Sequence, residues 1–161
     1  HPMFRFAATA NTNGSLDESG LYRGTMRQNL AFMDRFILCE ITYPAPEAEE
    51  ALLAKVATQL PKELRTTMVA YANEIRQLFM GEQGNNYTSN SIEITFSTRS
   101  LLRWADLTIR YSPLASQGIT PVTYALDRAL GLRACKETRA MLHELAQRMF
   151  THPEQKKSGK L

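Results

Sequence analysis

The sequence predicts a mainly α-helical chain, in which two short strands close an α/β portion and an α-helical bundle follows. Three observations carry that prediction. Residues 4–10 and 36–41 are short runs rich in apolar and small side chains, with turn-forming composition between them. Tyr43-Pro44-Ala45-Pro46 then interrupts the pattern, because each proline biases the residue before it away from helix. Beyond Pro46 the apolar residues recur at spacings of three and four, which is helical periodicity. The expected organisation is a core remnant over residues 1–44, a helical domain over 45–152 and a flexible tail over 153–161.

Residues 4–10 read as an interior strand of a parallel sheet, buried on both faces. Residues 11–24 are rich in Asn, Gly, Ser, Asp and Thr and read as an irregular loop. A helical turn or two is expected over 26–34, and the second strand over 36–41. Pro46 suits the first position of a helix whose positive end is favoured by Glu47, Glu49 and Glu50, with Leu52, Leu53 and Val56 inward. After Pro61, residues 62–80 place Leu64, Met68, Tyr71, Ile75, Leu78 and Phe79 on one helical face, and the glycines at 81 and 84 terminate that helix. A polar excursion over 85–90 precedes a strand-like stretch over 92–96.

Ser97 is placed to cap a helix reaching about Tyr111, with Leu101, Leu102, Ala105 and Ile109 inward. Thr120-Pro121 is a cap followed by a first-turn proline and opens a helix through about Leu130, stopped by Gly131. The last helix, over about 136–150, presents Met141, Leu142, Leu145, Met149 and Phe150 on one face.

A chain of 161 residues with 43% hydrophobic content can bury one solid core plus a short appended element. The net charge of +3 is mildly basic, but part of it lies in the terminal Lys156-Lys157 and Lys160, so nucleic acid is an unlikely partner. Cys39 and Cys135 are far apart and are expected as reduced, buried thiols of a cytoplasmic protein. No apolar run is long enough for a membrane span, which makes a soluble protein the expectation. A strand beginning at the first residues, with no initiator methionine, suggests a piece of a longer protein.

Phe4-Arg5-Phe6-Ala7-Ala8-Thr9-Ala10-Asn11, Gly20-Leu21-Tyr22 and Met33-Asp34-Arg35-Phe36 together resemble the sensor 1 and arginine-finger segments of AAA+ ATPases. The likeness is to the MoxR branch and to the ATPase subunit of cobaltochelatase. Ser97-Thr98-Arg99-Ser100-Leu101-Leu102 resembles the sensor 2 motif opening the third lid helix in the same branch. The order of strands then helices is the family's order, nucleotide core first and helical lid second. The resemblance implies ATP and Mg2+ as cofactors of the full-length protein, a homo-oligomeric ring of hexamer size, and a partner protein with a von Willebrand A domain. It also implies remodelling of a partner or help with metal loading as the work performed.

The resemblance assigns three residues to chemistry. Asn11 matches sensor 1, where a neutral amide can donate to a γ-phosphate oxygen and accept from the attacking water; Asn13 is its near neighbour. Arg35 matches the arginine finger, whose permanently charged fork stabilises the transferring phosphoryl group in an adjoining subunit and is worth about 10³–10⁵ in rate. Arg23 and Arg27 stand close enough in sequence to fill that role instead. Arg99 matches sensor 2 and binds nucleotide in cis or in trans. Each has a plainer reading: a turn residue for Asn11, an ion pair with Asp34 for Arg35, and a pair with Asp106 or Glu93 for Arg99.

No Gly-x-x-x-x-Gly-Lys-Ser/Thr loop is present, and no apolar strand ends in Asp-Glu. The 161 residues alone should therefore not hydrolyse ATP, and the ligands for Mg2+ are expected elsewhere. His143-Glu144 opens like a zinc-protease helix, but Gln147 stands where the second histidine belongs, so no metal site is expected. Trp104, Tyr71 and Phe79 fall at packing positions rather than base-stacking ones. The rival to an ATPase is a non-enzymatic helical module binding protein or nucleic acid. It explains the amphipathic stripes but not Asn11, Arg35 and Arg99 arriving in family order.

Overall fold

The computed structural model describes residues 3–10, 12, 14, 26–80 and 94–151. The chain separates into two units, His1–Thr42 and Tyr43–Leu161. The described residues form six α-helices and no strand.

In the first unit the single-turn helix α1 (Leu30–Met33) is capped by Asn29, whose side chain accepts from the Ala31 amide at 2.8 Å. Phe36 meets Phe32 at 4.9 Å and Phe6 at 6.0 Å between ring centroids. The strands expected over 4–10 and 36–41 are not formed: both segments run without ladder pairing and are largely exposed, Ile37 and Ile41 most of all. A strand is defined by its neighbours, and no described segment offers either run an edge to pair with. The same correction covers Cys39, expected to be buried and here exposed in the unpaired segment.

The second unit is a helical bundle. Pro46 occupies the first turn of α2 (Pro46–Val56), with Glu47 and Glu49 at its positive end. A turn closed by the buried Leu60 leads to α3 (Lys62–Met80). Residues 94–97 approach α4 (Thr98–Arg110) without strand pairing, where a strand-like stretch is expected; their role is to drive Phe96 into the core. A 3₁₀ turn (Ser112–Gln117) ends at Gly118, whose φ of 77° is the left-handed conformation that glycine adopts without penalty. Pro121 begins α5 (Pro121–Ala129); Thr120 holds the cap position without a side-chain hydrogen bond. A second 3₁₀ turn (Gly131–Arg133) leads to α6 (Lys136–Thr151).

The core gathers on aromatic rings from three parts of the chain. Trp104 lies 5.1 Å from Tyr71, 5.6 Å from Phe96 and 5.7 Å from Phe150. Each polar edge finds a partner: Trp104 Nε1 donates to the Val122 carbonyl at 2.9 Å and the Tyr71 hydroxyl to the Leu142 carbonyl at 2.7 Å. Burial, and secondarily the nearby Asp127 charge, pushes the Tyr71 hydroxyl well above its ordinary pKa, so it stays a donor. The expected inward faces hold at Leu53, Met68, Tyr71, Ile75, Leu101, Ala105, Leu142 and Leu145. Val56, Leu78 and Met141 instead point outward, at the margins of their stripes. Cys135, also expected to be buried, is exposed ahead of α6, where its thiol lies 3.2 Å from the Thr138 hydroxyl.

Candidate functional site

The start of α4 is built more elaborately than any helix end needs for its own stability. Ser97 takes the cap position in an extended conformation, and its hydroxyl accepts from the Ser100 amide at 3.1 Å. Thr98 and Arg99 follow as the first helical residues, where backbone N–H groups precede the helical ladder and the helix end carries partial positive charge. Arg99 is exposed, and among the described residues it has no ion-pair partner. The plain pairing with Asp106 is not made, because Asp106 accepts from Arg110 one turn further on, at 2.8 Å.

Beneath this helix end lies a buried ion pair. Arg76 of α3 and Glu49 of α2 are 2% and 1% exposed, and they meet through two 2.8 Å bonds, Nη1 to Oε2 and Nη2 to Oε1. Arg76 also donates from Nε to the Phe96 carbonyl at 2.6 Å and from Nη1 to Asn73 Oδ1 at 2.8 Å. The Thr98 hydroxyl donates to Glu49 Oε1 at 2.6 Å. Tyr43 covers the guanidinium, with its ring centroid 4.2 Å from the Arg76 Cζ, and its hydroxyl lies 2.7 Å from the Thr95 hydroxyl. No described buried side-chain nitrogen or oxygen is left without a hydrogen bond. The two residues flanking the Ser97 cap are thus both tied to one charged pair.

Glu49 and Arg76 are the residues that sequence reasoning missed. Glu49 reads as a helix-end acid, yet it sits four residues before the buried Leu53 and so shares its face. Arg76 follows Val69 and Ala72 at steps of seven and four, a buried stripe that the charge disguised.

The other predicted residues are not brought together with Arg99. Asn11, Asn13 and Arg23 lie outside the described residues. Arg35 is described in the first unit, exposed just beyond α1, with its backbone N–H donating to the Phe32 carbonyl at 3.2 Å. It makes no ion pair with Asp34 or with any other described residue, and Arg27 is likewise exposed.

A second polar cluster lies in the bundle. Asp127 accepts from Arg139 at 3.0 and 2.7 Å and from His143 Nε2 at 2.7 Å. Burial works against ionisation of Asp127, but the hydrogen bonds from Arg139 and then His143 overcome it and hold the carboxyl below its ordinary range. Gly131 allows the cluster to close: a Cβ there would stand 2.5 Å from Asp127 Oδ1. A shallow groove of about 250 Å³ between α2 and α3, bordered by Glu47, Glu50, Lys62 and Arg65, includes none of the predicted site residues.

The first turn of α4 thus brings together a helix N-terminus, an exposed guanidinium with no ion-pair partner among the described residues, and the buried Glu49–Arg76 pair beneath it. Among the described residues there is no group of three or more His, Cys, Asp or Glu that could hold a metal ion. Among them, too, no helix is long and apolar enough to cross a membrane.

The model of the CbbQ/NirQ/NorQ C-terminal family matches residues 49–149, from the buried Glu49 of α2 to the last turns of α6. The chain is also 31% identical over 156 residues to the aerobic cobaltochelatase subunit CobS of a Sinorhizobium species. That alignment covers 93% of this chain and 42% of the relative, so the chain spans about two fifths of the length of the curated protein it matches. No solved structure matches the chain.

Proposed function

From the premise that this chain belongs to the CbbQ/NirQ/NorQ C-terminal family and is a C-terminal domain of a MoxR/CobS-like AAA+ ATPase, we propose that its helical unit is the lid that reads bound nucleotide through Arg99. The full-length protein binds and hydrolyses ATP with Mg2+ in a homo-oligomeric ring of hexamer size. It couples that cycle to remodelling of a partner or to metal chelation, with a von Willebrand A domain protein as the partner. The CobS relative is a subunit of an aerobic cobaltochelatase, which favours the chelation form of this work. A cytoplasmic location follows from the same reading.

The roles divide by chemistry. Arg99 places a permanently charged fork at the end of α4, where the helix already favours anions, and so converts phosphate contact into lid position. Arg35 is the arginine finger, exposed and unpaired among the described residues and therefore available to a neighbouring subunit's phosphates. Asn11 is the sensor 1 amide. Bound Mg2+ would supply charge neutralisation at the phosphates; its ligands, and the phosphate loop, belong to other parts of the full-length protein.

The observation that carries the reading is Arg99 itself, exposed and without an acid partner among the described residues, on a helix start anchored by a buried ion pair. Steady-state hydrolysis and equilibrium binding of ATP by the full-length protein test it. Arg35→Ala abolishes turnover and leaves nucleotide binding near normal, whereas Arg99→Ala weakens binding and turnover together. Equal loss of both from Arg35→Ala, or unchanged hydrolysis and assembly in Arg99→Ala, rejects the corresponding role.

A further inference from the structure

The sensor 2 reading makes Arg99 the residue that meets the nucleotide; the structure contains in addition a device that can set where Arg99 points. Glu49 and Arg76 are almost fully buried, and their pairing is bidentate, so neither side chain has freedom to reorient. From this pair two bonds run upward to the entry of α4. Arg76 Nε holds the carbonyl of Phe96, immediately before the cap, and Glu49 Oε1 holds the hydroxyl of Thr98, immediately after it. Tyr43, the first residue of the second unit, stacks on the same guanidinium and bonds Thr95.

A helix needs none of this to start. The Ser97 hydroxyl already satisfies an amide of the first turn, and a buried ion pair contributes little net stability because desolvation offsets its attraction. What such a pair does provide is a fixed reference: α2, α3 and the first residue of α4 cannot slide past one another without breaking charge-assisted bonds in a dry interior.

We propose that Thr98, anchored on the buried Glu49–Arg76 pair, is a positioning residue that aims Arg99 at the nucleotide phosphates. The proposal rests on the sensor 2 reading of Arg99. Thr98 touches no phosphate in this account; it acts by fixing the first turn from which the Arg99 side chain departs. Loss of its hydroxyl leaves the fold and the charge of the site intact but loosens the aim, and small errors of placement are costly to a charged contact.

The test uses the full-length protein with a non-hydrolysable ATP analogue and magnesium, read as Kd, together with kcat and KM for ATP and the Tm of each variant. Thr98→Val, which keeps shape and loses the hydroxyl, weakens analogue binding by about tenfold with only a small fall in Tm. Thr98→Ser, which keeps the hydroxyl, restores binding. In an Arg99→Ala background, Thr98→Val has no further effect on Kd, because there is no guanidinium left to aim. An equal effect of Thr98→Val with and without Arg99, or none at all where Arg99→Ala weakens binding, overturns the positioning role and leaves the sensor 2 reading standing. If Arg99→Ala itself leaves Kd unchanged, the sensor 2 reading falls and the positioning role falls with it.

Discussion

Single residues in this bundle differ in what their charge is for. Glu49 and Arg76 spend theirs on each other and on the entry of α4, whereas Asp127 gathers Arg139 and His143 from α6 onto α5. For Asp127 the sign of the pH effect follows from its lowered pKa: the folded state favours the ionised carboxylate. Its stabilisation is fully present above the unfolded value of about 4 and is lost as pH falls through the lower folded value. Asp127→Asn should therefore cost about 1–3 kcal/mol at neutral pH. That cost should shrink below about pH 4, in urea unfolding at stepped pH. A difference from wild type that stays constant down to pH 2 would contradict the account.

At the scale of elements, α4 decides how the site is presented, and its start was legible in the sequence. Ser97 ahead of an apolar-periodic run is a capping signal, and the structure gives the hydroxyl the expected amide. Ser97→Ala should cost about 1 kcal/mol of stability, and Ser97→Asn should recover most of it. Chemical denaturation checks both, and an unchanged Ser97→Ala would mean that the Thr98 and Phe96 anchors alone define the helix end. The long helices were equally legible, since prolines at 46 and 121 and stripes such as Met68, Tyr71 and Ile75 are local signals. Two things were not. Apolar runs at 4–10 and 36–41 have strand composition, but pairing depends on residues distant in the chain, and the described parts provide none. The foundation of the site escaped notice because Glu49 and Arg76 satisfy each other in the interior, so the usual equation of charge with solvent fails for them.

The whole molecule joins two units of unlike character. In the described part of the first, apolar side chains such as Phe4, Phe6, Ile37 and Ile41 are exposed, while the second buries Trp104, Tyr71 and Phe96 in one core. The family match, residues 49–149, falls on the second unit and spans the buried Glu49, Arg76 and the start of α4. Asn11 and Arg35 belong by sequence to the first unit, and in the proposed ring their chemistry requires phosphates supplied by the full-length protein and its neighbours.

The account's central claim is that nucleotide is read at the first turn of α4. Amide hydrogen exchange of the full-length protein, with and without a non-hydrolysable ATP analogue and magnesium, measures this most directly. The account predicts slowed exchange at Thr98, Arg99, Ser100 and Leu101 on nucleotide addition, and loss of that protection in Arg99→Ala. Exchange at these four amides that is unchanged by saturating nucleotide, while other parts of the protein become protected, would contradict it.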